Sequence, residues 1–333
     1  MTSTDTAPSI ADRVRPVAAD ASVVAVHFLG RSAAFALGEE AVLLVPPEGE
    51  SRRVKAHEGG ILDAAADGER IVTAGDDGRV VATDAGGNTH TLATDPKRRW
   101  IDHVAVGPDG AVAWSAGKTA FVQTRAREEK ALELPSAAGG LAFAPRGFRL
   151  AIAHYNGATL WFPKAAAAPE QLAWKGSHLG VAFSPDGKFL ITAMQEPMLH
   201  GWRLADRKHL RMSGYATKVR SLDWTANGKW LATAGSEQLV LWPFQGKDGP
   251  MGKTPTMWAA REVRVAVVAC HPTQQVAATG YADGMILLVR LVDGAEILAR
   301  KPGAGAVSAL GWSPGGDLLA FGTEDGEAGL LAV

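Results

Sequence analysis

Gly180-Val181-Ala182-Phe183-Ser184-Pro185-Asp186-Gly187-Lys188-Phe189-Leu190-Ile191-Thr192-Ala193 reads as an apolar strand, a tight turn and a second apolar strand. In such a turn proline presets φ and glycine accepts a positive one. A polar turn follows, then a third strand over Met198–Leu204 and a fourth over Lys208–Met212. The turn phrase recurs as an aromatic or apolar residue, a small residue, Pro, Asp or Asn, and Gly. It returns as Trp312-Ser313-Pro314-Gly315-Gly316, Phe143-Ala144-Pro145-Arg146-Gly147, Val106-Gly107-Pro108-Asp109-Gly110 and Trp224-Thr225-Ala226-Asn227-Gly228. Cys270-His271-Pro272, Ala64-Ala65-Ala66-Asp67-Gly68 and Phe28-Leu29-Gly30 are degenerate copies.

Successive copies lie 36 to 46 residues apart, and a period of about 40 is that of a four-stranded propeller blade. Leucine-rich and ankyrin repeats are shorter and carry a helical pattern absent here. The first two strands of each unit are nearly continuous apolar runs, as burial on both faces requires. Fourth strands such as Glu170-Gln171-Leu172-Ala173-Trp174 alternate, as an exposed outer edge would. The copies define eight units. The last ends at Gly329–Val333 with no residues left for a fourth strand, which Arg13–Val17 can supply. The expected fold is therefore all-β, an eight-bladed propeller in one domain over residues 13–333, behind a flexible N-terminus at 1–12. The alternative count of seven requires the weak first unit, Val23–Val45, to be something other than a blade.

The third strands carry a family resemblance. They end in Leu160-Trp161, Gly201-Trp202 and Leu241-Trp242, and several are preceded by turns such as Asp76-Asp77-Gly78, Ala282-Asp283-Gly284 and Glu324-Asp325-Gly326. Upstream, Ala56-His57 and Ser177-His178 stand where the family has Gly-His, and Gly214-Tyr215 replaces that pair in the sixth unit. Together these resemble the WD40-repeat family across nearly the whole chain. No copy is complete: Phe162, Arg203 and Pro243 follow the tryptophans, and Asn156, Glu196 and Glu237 replace the turn aspartate. The resemblance implies a ring clasped by an N-terminal strand, and a buried network of His57, Thr73 and Asp77. It also implies a non-catalytic scaffold that holds protein or peptide partners. The alanine-rich composition suggests a bacterial source.

Composition narrows the alternatives. Formal net charge is −1 with no basic block, which disfavours a general nucleic-acid footprint. The single cysteine, Cys270, excludes an intrachain disulfide, and Met1–Ala11 lacks the pattern of a secretory signal. No run of about 18 apolar residues occurs, so no membrane span is expected. A cytoplasmic protein, monomeric or part of a hetero-complex, is expected. The nine histidines show no metal-ligand spacing, so no metal is expected, not even at His200 and His209. Phosphate-loop, dinucleotide and nucleophile-elbow motifs are absent, so no cofactor and no catalytic residues are assigned. The competing functions are a propeller enzyme and a nucleic-acid module using basic loops.

Those loops lead into first strands and should converge on one face. They carry Arg98, Arg99 and Trp100, then Lys175 and His178, then Tyr215, Lys218 and Arg220, then Arg261 and Arg264. Tryptophan flanked by arginine is the composition of a binding hot spot, and a basic rim favours an acidic partner segment. Glu58, Asp102 and Glu262 would dilute its potential. On the opposite face Gln245–Pro255, the longest insertion, reads as a mobile loop.

Overall fold

The structure, a computed structural model, describes residues 8–333. Residues 1–7 of the segment expected to be flexible lie outside the described residues. Among the described residues, thirty strands and two short 3-10 turns, Ala11–Arg13 and Pro108–Gly110, make up the regular structure. Each unit runs up and down antiparallel, as in Val23–Leu29, Ser32–Leu37, Ala41–Val45 and Arg52–Lys55.

The recurring turn phrase has a physical cause. Ser184 Oγ accepts the Phe189 N–H at 2.9 Å and donates to Asp186 Oδ1 at 2.7 Å, while Gly187 takes φ +72°. Ser313 with Asp317 and Thr225 with Asn227 repeat this arrangement. The small residue of the phrase must therefore carry a hydroxyl where the turn is best formed.

The expectation of eight separate four-stranded blades is corrected. The described residues form seven hydrogen-bonded sheets, six of four strands and one of six. The first unit is not the reason, because Val23–Lys55 forms a full four-stranded sheet. The fourth and fifth units share one sheet because Leu150–Trp161 and Glu170–Phe183 are unbroken strands of 12 and 14 residues. Asn156 at φ +66° and the register shift between Tyr155 and Gly157 bend the first of these, and a shift between His178 and Gly180 lies in the second. No loop separates the two repeats, so spacing alone counts them as distinct sheets. A core cluster still fills the space between them, with Leu160 and Leu172 against Phe183, Leu190 and Trp202.

Similar clusters lie between all neighbouring units. The third-strand tryptophans Trp161, Trp202 and Trp242 are buried, each against residues of the preceding unit. Each hides about 150–250 Å² of surface, a gross transfer term of about 5 kcal/mol. Val14–Ala18 pairs antiparallel with Glu327–Ala332, from Val14 opposite Leu331 to Ala18 opposite Glu327. Val26, Phe28 and Phe35 of the first sheet pack with Ala309, Ala320 and Leu330 of the last. Ahead of that strand, Ile10 N–H donates to the Leu298 carbonyl and Leu298 N–H to that of Pro8, so residues 8–10 run beside the preceding sheet.

Candidate functional site

The loops into the first strands and the turns between second and third strands share one face of the ring, called the top face here. Bulges shape its centre. Register shifts skip Val24, Leu62, Gly139, Ala266 and Ser308, each the second residue of a first strand, and Leu179 within Glu170–Phe183. A bulge re-aims the skipped side chain out of the ladder. Val24, Ala266 and Ser308 line one cavity at the channel mouth, and Leu179 lines its neighbour.

The first cavity, about 420 Å³, gathers Lys218, Arg220 and Arg264 with the hydroxyl-bearing Ser22, Thr217 and Ser221. Glu324 is its one acidic lining residue. Among the described residues neither Arg220 nor Arg264 has a carboxylate within ion-pair distance, and Lys218 Nζ reaches only Gln195 Oε1 at 3.3 Å. The second cavity, about 540 Å³, lies between the fifth and sixth units and is lined by Leu179, Val181 and Leu222. The two share Lys218, Arg220 and Ser221 as a common wall.

The other basic residues are disposed differently. Arg99 is committed within its own loop. Its guanidinium donates to Asp95 Oδ2 at 2.7 and 3.1 Å and to the Ala116 carbonyl at 3.1 Å. The Arg99 side chain and the Lys97 and Arg99 N–H groups hold the Asp95 carboxyl below its usual range against the effect of burial. This staple presents Trp100 to solvent, 62% exposed, beside the exposed Arg98. Tyr155, in the bent turn of the fourth unit, is 58% exposed and Leu179 is 40% exposed. Lys175 is exposed, and Arg261 is ion-paired with Glu296. Arg98, Arg99 and Trp100 thus belong to the third unit, away from the cluster at the sixth and seventh.

Two residues expected at the partner surface are corrected. His178 and Tyr215 are buried. His178 Nε2 donates to the Trp174 carbonyl at 3.0 Å, and Nδ1 lies 2.7 Å from Thr192 Oγ1. Burial lowers its pKa. In the sixth unit Trp242 Nε1 donates to Tyr215 Oη at 2.6 Å, which bonds Thr233 Oγ1 at 2.7 Å, which donates to the Val240 carbonyl at 3.2 Å. Burial pushes the Tyr215 hydroxyl up to about 12. Tyr215 occupies the buried position that His57 holds in the second unit, whereas His178 reaches the equivalent threonine from within its strand, where it pairs with Met194. His57 Nε2 lies 2.8 Å from Thr73 Oγ1 and Nδ1 3.0 Å from Asp77 Oδ1. Burial alone would raise the Asp77 carboxyl, but the Glu58 N–H and the His57 ring outweigh it and lower the pKa. A turn aspartate is therefore unnecessary where a tyrosine or a backbone carbonyl completes the network.

Polar side chains also stitch neighbouring first strands around the channel. Asp63 accepts the Val104 N–H, Asp223 accepts that of Cys270, and Ser221 that of Val268. Enclosure in the channel wall raises the Asp223 carboxyl to about 6, despite the N–H groups of Cys270 and Trp224. Cys270 is buried, which raises its thiol well above the usual range. These ties were not foreseen; the signal was a polar residue inside an apolar first strand.

On the opposite face the insertion folds back. Gly249 and Pro250 are buried, and Asp248 meets Arg203 at 2.7 Å and Lys208 at 3.4 Å. Among the described residues no cluster of three or more His, Cys, Asp or Glu could hold a metal ion, and no helix is long and apolar enough to cross a membrane.

Comparison with known proteins agrees with this architecture. The family model described as WD domain, G-beta repeat, matches residues 207–242, the stretch that holds Tyr215, Thr233 and Trp242. The crystal structure of the computationally designed Ika8 protein superposes with a TM-score of 0.78 at 14% identity, covering 95% of this chain and 98% of that one. At that identity the likeness is one of fold alone. No curated protein matches the chain in sequence.

Proposed function

The chain is a WD40-repeat β-propeller, and we propose that residues 13–333 act as one non-catalytic scaffold whose top face holds an acidic segment of a protein partner. WD40 propellers are generally protein-interaction scaffolds, and fold alone does not choose the face or the partner. The observation that carries the choice is the channel mouth, where Lys218, Arg220 and Arg264 line one cavity without a matching set of carboxylates. Exposed arginine beside exposed aromatic and aliphatic side chains is the composition of interface hot spots. Trp100, Tyr155 and Leu179 supply the apolar part on the same face. Cytoplasmic residence belongs to this reading, which the one buried, unpaired cysteine suits.

The test is quantitative affinity purification from the native cell. It compares the wild type with a Trp100→Ala, Arg220→Glu, Arg264→Glu variant and with an opposite-face control, Arg146→Glu. Arg99 is left intact, because its change would release the loop that presents Trp100. The top-face variant should lose the partners that the control keeps, at an unchanged melting temperature. Partners that survive the triple change would refute the assignment.

A further inference from the structure

We propose that the paired cavities at the channel mouth receive a free peptide C-terminus, with the α-carboxylate between Arg220 and Arg264 and the last apolar side chain against Leu179. This rests on the top-face reading and narrows it from an acidic segment in general to a chain end.

The geometry is the reason. The two cavities are separated only by the shared wall of Lys218, Arg220 and Ser221. Lys218, Arg220 and Ser221 face both cavities; beyond them the first adds Arg264 and the hydroxyls of Ser22 and Thr217, and the second adds the apolar Leu179, Val181 and Leu222. A ligand that fills both must present an anion and an apolar group from almost one point. A terminal residue does so, because its carboxylate and side chain leave the same Cα. An internal acidic residue does not, because its neighbours in an extended chain point to the opposite side. The bulges favour an end as well. Val24, Ala266 and Ser308 turn inward, so the cationic cavity is walled by the first, sixth, seventh and last units around the ring axis. A carboxylate there meets two guanidinium groups that have no competing ion pair, and charge-assisted bonds of this kind are the stronger class.

The experiment measures fluorescence anisotropy of three labelled pools of acetylated octapeptides with Gly, Ser and Ala at the varied positions. One pool ends in leucine with a free carboxylate. The second is the same pool amidated. The third is amidated and carries an internal Asp. The first should bind at least tenfold more tightly than the second and the third. Arg220→Glu and Arg264→Glu, both at exposed side chains, should each erase that preference. Leu179→Asp should weaken binding of the pool that ends in leucine with a free carboxylate. Equal binding of the free-acid and amidated pools overturns the proposal. Tighter binding of the internal-Asp pool overturns it while leaving the acidic-partner reading intact. Absence of binding by every pool also overturns it, and the affinity purification then judges the scaffold reading by itself.

Discussion

Tyr215→Phe tests whether the buried network holds the strands of the sixth unit together. The hydrogen bonds run in one direction, from Trp242 Nε1 to Tyr215 Oη, to Thr233 Oγ1, to the Val240 carbonyl. The Thr233 hydroxyl is used on Val240, so Tyr215 must donate to it and accept from Trp242. Removing the tyrosine oxygen leaves the Trp242 N–H buried without an acceptor, which costs about 1–3 kcal/mol, and loses the bond to Thr233, about 1 kcal/mol more. With an unfolding entropy of about 2.1 cal/mol/K per residue, a loss of about 3 kcal/mol lowers the melting temperature by about 4 °C. Scanning calorimetry of the wild type and Tyr215→Phe reads this directly. Trp242→Phe in the Tyr215→Phe background removes the stranded donor, so the double variant should be less destabilised than the two single changes added together. A Tyr215→Phe melting temperature within 1 °C of wild type, or strict additivity, would refute a network role for Tyr215.

The Asp223 carboxyl, raised to about 6 from 3.8, keeps its proton in the folded ring after the unfolded chain has lost it. The stability it contributes is complete below pH 3.8 and is lost as pH rises through 6, about 3 kcal/mol in all. The difference in melting temperature between wild type and Asp223→Asn should therefore shift in favour of the variant between pH 4 and pH 7, and a flat difference contradicts the assignment. Asp95→Ala should free the loop at residues 96–102, seen as faster amide exchange there, with about 2 kcal/mol lost through the uncapped N–H groups and the unpaired Arg99. Unchanged exchange would show that the staple does not order the loop. Deleting residues 1–20 removes the strand Val14–Ala18 and the buried Val17 and Ala19, which should cost about 5 kcal/mol from lost ladder bonds and apolar burial. A change within 1 °C would show that closure does not depend on it.

What could be read from the sequence follows from what repeats. A turn that needs a hydroxyl, a proline and a positive-φ glycine leaves the same trace each time, as at Ser184–Gly187 and Ser313–Gly316. That trace located the strands and the blade period. It could not count sheets, because a strand that bends at Asn156 keeps its ladder while a sequence period sees only a turn. It also misplaced His178 and Tyr215. Their position in the loop before a first strand suggests exposure, and nothing local shows that each points inward to a threonine on the next strand of its own unit. The pairing of Arg99 with Asp95 spans four residues and was available in principle, but a carboxylate so near an arginine is usually solvated and carries little information.

The three-dimensional arrangement separates the basic residues by what else each must do. Arg99 holds a loop and Arg261 holds Glu296, so neither can be given to a ligand without a structural cost. Arg220 and Arg264 hold nothing among the described residues. An unpaired exposed cation is common on any surface, and one such residue would carry no weight. Two that line the same cavity, at the point where bulges turn first-strand side chains into the channel, differ in kind. Like charges held close raise the energy of the unliganded ring, and an anion that enters relieves that repulsion as well as gaining its own contacts. Exchanging one of them for a neutral residue should therefore weaken anion binding by less than exchanging both, with the second substitution costing more than the first only if the two act on one bound group. Measuring the single and double Arg220→Gln and Arg264→Gln variants against a free-acid peptide decides the point, because independent sites would give additive losses.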